Sequence, residues 1–145
     1  MAARGFRLTT RDVEILKMVL AYRVVTRFHV AKLFFPPGAT SRAILRLGLL
    51  VKHGFLERQE QSSKPSEGRK AYLYLMTEKS VRHLVELFAC ERAAIPWRPA
   101  DNHLKQLFLD HLLRTQDVRV AVVVSGIRAG AVGERQVGQP VAYAL

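Results

Sequence analysis

Arg42 and Arg46 stand four residues apart in the stretch "TSRAILRLGLLVKH", so on a helix both guanidinium groups lie one turn apart on one face. Such a pair can grip guanine O6 and N7 bidentately, or hold phosphate oxygens. Thr40 and Ser41 just before them put hydroxyls at a helix N-terminus, where free N–H groups favour a phosphate. Arg27 adds a cation upstream, and Lys64, Arg69 and Lys70 surround a polar loop downstream. The chemistry implied is recognition of a polyanion by charge and hydrogen bonds. No covalent step is needed.

Other reactive side chains do not assemble into a catalytic pattern. His103, Asp110 and Asp117 share a helical stripe, with His111 one step round it. Two helical ligands grip one ion from i, i+3 or i, i+4 positions, which the two histidines do not occupy. His111 is therefore expected to be partly buried and hydrogen-bonded, with Asp110 and Asp117 solvated or paired to Arg114. Ser125-Gly126 lacks the second glycine of a nucleophile elbow, and no glycine-rich phosphate loop occurs. A relaxase would need a tyrosine beside a histidine cluster, and Tyr72 and Tyr74 sit apart from one. No enzyme, cofactor or metal is expected. The single cysteine, Cys90, rules out an internal disulfide and reads as a buried structural thiol.

Charge supports the polyanion reading. The net charge is +11, and residues 15–56 contain no Asp or Glu while carrying Lys17, Arg23, Arg27, Lys32, Arg42, Arg46 and Lys52. From residue 71 onward nine basic and seven acidic side chains nearly balance. A one-sign field confined to one segment suits nucleic acid, because clustered cations displace its condensed counterions. No apolar run approaches the ~18 residues of a membrane span, so a soluble cytoplasmic protein is expected.

These side chains need elements to position them. Thr9 with Asp12 forms a near capping box for a first helix, with Leu8 and Val13 as its staple. Thr26 caps a second, short helix that Pro36 and Pro37 end. Thr40 or Ser41 caps a third, over 40–53, which Gly54 stops. Its core face is Ala43, Ile44, Leu47, Leu50 and Val51. Its other face carries Ser41, Arg42, Leu45, Arg46, Leu49 and Lys52. Leu45 is expected to bury partly against helix 2 or the hairpin, with contact to a thymine methyl as the alternative.

A hairpin follows, with strands over 55–61 and 70–76, and Thr77 caps a fourth helix. "AAIPWRPAD" is a linker, and Trp97 in it is expected to plug a seam between the flanking parts, with cover over a small ligand pocket as the alternative. A long helix then opens at Asp101 or Asn102 with a stripe of Leu104, Leu107, Phe108, His111, Leu112 and Thr115. Leu109 and Leu113 lie off that stripe. A helix apolar on two sides is expected to bury one against its own domain and one against another chain. Val118–Val124 could be a strand by composition, and helix continuing to about Val122 is favoured.

The expected fold class is α+β, mainly helical: a winged helix-turn-helix over 9–90 with additional C-terminal helices. Residues 1–8 read as a flexible arm, 91–100 as a linker, 101–124 as the long helix and 125–145 as a flexible tail. In a winged helix the third helix enters the major groove and the hairpin loop, here 61–70, meets the flanking backbone.

The segments "LTTRDVEILKMVLAYRVVTRFHVAKLFF", "SRAILRLGLLVKHGFLER", "AYLYLMTEKS" and "HLLRTQDVRVA" resemble, in order and spacing, the replication-relaxation family of plasmid and mobile-element proteins. The resemblance covers roughly residues 8–121. It implies an N-terminal winged helix acting at plasmid DNA, in replication or in relaxation for transfer.

The leading expectation is double-stranded DNA binding through Arg27, Thr40, Ser41, Arg42, Arg46, Lys64, Arg69 and Lys70. The chain would act alone or as a homodimer through helix 101–124, in replication, relaxation or regulation of transcription, with no membrane partner. The alternatives are a protein-interaction module whose basic face binds an acidic partner and, further off, a nuclease or relaxase subunit.

Overall fold

The computed structural model describes residues 6–61, 66 and 68–128. Five α-helices and one antiparallel hairpin make up those residues, an α+β arrangement that is mainly helical. Helix α1, Thr10–Tyr22, starts on the expected reciprocal cap. The Thr9 N–H donates to Asp12 Oδ2 at 2.8 Å, and the Asp12 N–H donates to Thr9 Oγ1 at 3.1 Å. Ile15, Leu16, Met18 and Val19 point from it into the core. The helix ends where Arg23 takes a left-handed φ of 72° and returns its N–H to the Val19 carbonyl.

Helix α2, Arg27–Phe34, follows a short extended passage through the buried Val24 and Val25. Helix α3, Thr40–Lys52, begins differently from expectation. Its N-cap is Ala39, which has no side-chain acceptor, so Thr40 and Ser41 occupy the first helical turn instead of capping it. Its end follows the expected glycine logic. Gly54 has φ 82°, its N–H reaches the Val51 carbonyl, and the Phe55 N–H reaches the Leu50 carbonyl at 2.8 Å. Ala43, Leu47 and Leu50 are buried as expected, whereas Ile44 is exposed.

Strands β1 (Leu56–Gln59) and β2 (Leu73–Met76) pair in the register Leu56↔Met76, Glu57↔Leu75, Arg58↔Tyr74 and Gln59↔Leu73. They are shorter than the sequence suggested. On the far edge of β2, Tyr74 exchanges both backbone hydrogen bonds with Val25, so β2 lies between β1 and the α1–α2 connection. All four β2 residues are buried. Tyr74 and Met76 enter the main core, while Leu73 and Leu75 form a second cluster with Val24 and Leu109.

Helix α4, Glu78–Phe88, starts on Thr77, whose Oγ1 accepts from the Ser80 N–H at 3.2 Å. The stretch read as a linker is tied down at many points. Two short 3-10 turns, Arg92–Ala94 and Pro99–Asn102, flank the buried Ile95 and Trp97. Arg92 grips Glu78 with two hydrogen bonds of 3.0 Å and donates to the Ile95 and Trp97 carbonyls. Asn102 is a buried junction: its Nδ2 donates to the Met76 carbonyl at 2.8 Å, its Oδ1 accepts from Trp97, and its carbonyl accepts from Gln59. A side chain used in this way does not open a helix.

Accordingly α5, Gln106–Arg128, begins later than expected and runs beyond Val122. Its buried stripe also differs. Leu109, Gln116 and Val120 face inward, while Leu107, Phe108 and His111 of the expected stripe are exposed. Leu109, Leu112 and Leu113 cover the outer face of the sheet, which is why that face needed a partner the hairpin itself lacks. Gln116 Nε2 donates to the Tyr22 carbonyl, pinning α5 to the end of α1. Phe6 and Leu8, read as part of an arm, pack against the core.

Candidate nucleic-acid interface

The expected pair on α3 is split. Arg42 is exposed and makes no ion pair among the described residues. Arg46 turns back onto α1: Nε donates to Asp12 Oδ1 at 2.7 Å, Nη2 to Asp12 Oδ2, and Nη2 also to the Arg7 carbonyl at 3.0 Å. The Arg46 guanidinium lies 4.7 Å over the Phe6 ring, itself stacked on His53. The outward, groove-facing position expected for Arg46 is therefore corrected. Asp12 is fully buried, and no other cation reaches it among the described residues. A buried carboxylate demands a partner, and Arg46 of α3 supplies it. Burial pushes the Asp12 carboxyl up, but the Arg46 hydrogen bonds and the Thr9 N–H outweigh that and hold it below its usual range. Asp12 in turn raises the Arg46 guanidinium.

What α3 presents outward is consequently apolar at its centre. Leu45 is 70% exposed, Ile44 42% and Leu49 38%. The expected burial of Leu45 against helix 2 or the hairpin does not occur. Ser41 and Arg42 stand at one end of this face and Lys52 at the other, all exposed.

A second group of cations lies on the sheet side. Arg27 opens α2 and rests 4.5 Å over Phe28. Arg58, exposed on β1, lies 4.5 Å over the Tyr72 ring and directly opposite Tyr74. Burial pushes the Tyr74 hydroxyl above its ordinary range, while the Arg58 and Arg27 guanidiniums pull it the other way. The two arginines and one hydroxyl thus share a neighbourhood, with no ion pair to either arginine among the described residues. Arg58 is not among the expected contacts, and Glu57 and Glu60 flank it in sequence. The signal was strand alternation, which turns Glu57 away to accept from Gln59 and Asn102. Arg69 is exposed and Lys70 half-buried at the base of the hairpin loop, and Lys64 lies outside the described residues. Thr40 is half-buried at the start of α3.

The titratable groups of α5 form no metal site, and no such cluster occurs among the described residues. Asp110 accepts from Gln106 at 2.8 Å, and His111 is exposed where partial burial was expected. Asp117 pairs neither with Arg114 nor with water alone. Its Oδ1 meets His29 Nε2 at 2.6 Å. The Thr26 N–H donates to His29 Nδ1 at 3.0 Å, which leaves Nε2 as the protonated nitrogen that donates to Asp117. This buried imidazole ties α2 to α5. Cys90 is half-buried at the edge of the core, and Trp97 is packed into it.

Among the described residues, no helix is long and apolar enough to cross a membrane. A protein-family model described as replication-relaxation matches residues 16–136. No curated protein and no solved structure matches the chain.

Proposed function

The chain belongs to the replication-relaxation family, and from that premise we propose that it is a winged helix-turn-helix protein that binds double-stranded DNA. The order α1, the Val25 bridge, α2, α3, hairpin, α4 supports that reading, because it is the order in which such a domain sets its third helix beside its wing. Helix α3 enters the major groove. Arg42, Ser41 and Lys52 flank its apolar centre, and Arg27, Arg58, Arg69 and Lys70 meet the neighbouring phosphates. The protein binds rather than catalyses, and it acts in replication or relaxation of plasmid or mobile-element DNA, or in regulating transcription there.

The single observation that carries this reading is that Arg42 and Lys52 on α3 and Arg58 on β1 are exposed, and Arg27 on α2 half-buried, with no ion pair to any of them among the described residues. Cations without carboxylate partners repel one another in the free protein, and neutralising phosphates relieves that repulsion while releasing counterions. The test is duplex binding followed by fluorescence anisotropy across a salt series. Binding should weaken with salt, and Arg42→Ala or Arg58→Ala should each lower the log–log slope by about one. Absence of duplex binding at ~50 mM salt, where such contacts are strongest, would sink the proposal.

The same reading includes a homodimer through α5. Leu107 at 87%, Val118 at 63% and Val122 at 65% exposure form an outward stripe on that helix. A second copy on this stripe would bind DNA with half-sites about one helical turn apart. The rival reading, a module binding an acidic protein, is favoured only by the leucines of α3 and would show as protein binding without duplex affinity.

A further inference from the structure

We propose that α3 reads thymine, with Leu45 and Leu49 contacting thymine 5-methyl groups in the major groove; the inference rests on the duplex-binding reading above. Withdrawal of Arg46 onto Asp12 removes the one cation from the middle of the helix face. Two turns then offer only hydrocarbon outward, Leu45 at 70% and Leu49 at 38% exposure, with cations confined to Arg42 before them and Lys52 after. Gly48 stands between the leucines with nothing near the position of a side chain, so the backbone there can approach a groove floor closely.

Among base edges in the major groove, only thymine offers an apolar group. Leucine set against guanine, cytosine or the adenine amino group leaves a donor or acceptor unpaired, and such desolvated groups are costly. Thymine methyls reverse that sign, since each one is removed from water against a leucine. The charge pattern selects the nucleic acid over an apolar protein as the occupant. Residues 15–56, which include all of α2 and α3, hold seven cations and no carboxylate.

The experiment compares the full chain binding two duplexes, alternating A·T and the same duplex with deoxyuridine for thymidine. The thymine duplex should bind tighter by about fourfold for each methyl in contact. In Leu45→Ala that ratio should shrink by about the same factor while the salt slope holds, since no phosphate contact is lost. Thermal melting of the variant should match the parent, because Leu45 is exposed. Equal affinity for the two duplexes would overturn the inference and leave duplex binding standing. Failure to bind these or a mixed-sequence duplex would instead sink duplex binding itself. A uracil penalty undiminished in Leu45→Ala would trace it to altered DNA shape and also overturn the inference. Loss of self-association in Leu45→Ala, by sedimentation, would assign the face to a second copy and overturn it too.

Discussion

Helices α3 and α5 both hold large apolar side chains out in water, yet their surroundings are opposite. Around Leu45 and Leu49 the charged neighbours on α3 are Arg42 and Lys52, of one sign. Along α5, Leu107, Val118 and Val122 are interleaved with Asp110, Arg114, Asp117 and Arg119, of both signs. An exposed apolar patch points to a partner in either case. The charges around it say which kind: a one-sign rim suits a polyanion, and a mixed rim suits a protein surface that can answer each charge, such as its own copy.

The largest effect is expected inside α3 itself. If Arg46 is structural and Arg42 is not, Asp12→Ala should destabilise the fold by about 3 kcal/mol, because it strands the guanidinium and removes the cap together. Arg46→Ala should cost a similar amount, since it strands a fully buried carboxylate, and the double variant should cost less than the sum. Arg42→Ala should stay within about 0.5 kcal/mol. Urea unfolding measures all four. The pair also sets an acid limit. The folded Asp12 carboxyl lies below its ordinary 3.8, so its contribution is fully present above that pH and fades as pH falls through the lower folded value. Parent and Asp12→Ala should therefore converge in stability at the acid end of a pH series.

This split between neighbouring arginines also marks where sequence reasoning stops. Helix starts at Thr9, Thr26 and Thr77 were legible because a cap is settled within four residues. The elements, their order and the fold class follow from such local signals. The Arg46–Asp12 pair was not legible, because 34 residues separate the partners and only the tertiary fold brings them together. The same holds for His29 with Asp117. On β2, Leu73 and Leu75 alternate with Tyr74 and Met76, so both sets are apolar and period-two reasoning could not say which face α5 would cover. Asn102 misled for a different reason. Its capping propensity is real, but here its amide is spent on Met76 and Trp97.

An effect of comparable size separates the two sides of α5. Leu109 is 5% exposed and packs against Val24, Leu73 and Leu75, so Leu109→Ala should cost about 2–4 kcal/mol through lost transfer energy and a residual cavity. Leu107→Ala, two positions away, should be within about 0.5 kcal/mol of the parent. Thermal or urea unfolding of both variants decides it. If Leu107→Ala proves as costly as Leu109→Ala at dilute protein, the outward stripe already packs within one chain and is no dimer face.

The smallest effect on the fold, and the sharpest test of the division, comes from charge placed in each patch. Val118→Asp with Val122→Asp should leave monomer unfolding within about 0.5 kcal/mol, because both side chains are solvated. Self-association by sedimentation equilibrium should weaken by roughly 100-fold, since each carboxylate would be buried unpaired at a two-fold contact, twice over. Single-site DNA affinity should not change. Leu45→Asp should do the reverse, leaving association intact while losing duplex affinity by repulsion from phosphates as well as lost contact. An exchange of these outcomes, with Leu45→Asp splitting a dimer and the α5 variants losing DNA, would show that the sign of the rim charge does not select the partner. A mixed result, with both properties lost in both variants, would mean that the duplex is bound only by the assembled pair, and the half-site spacing would then report the distance between the two α3 helices.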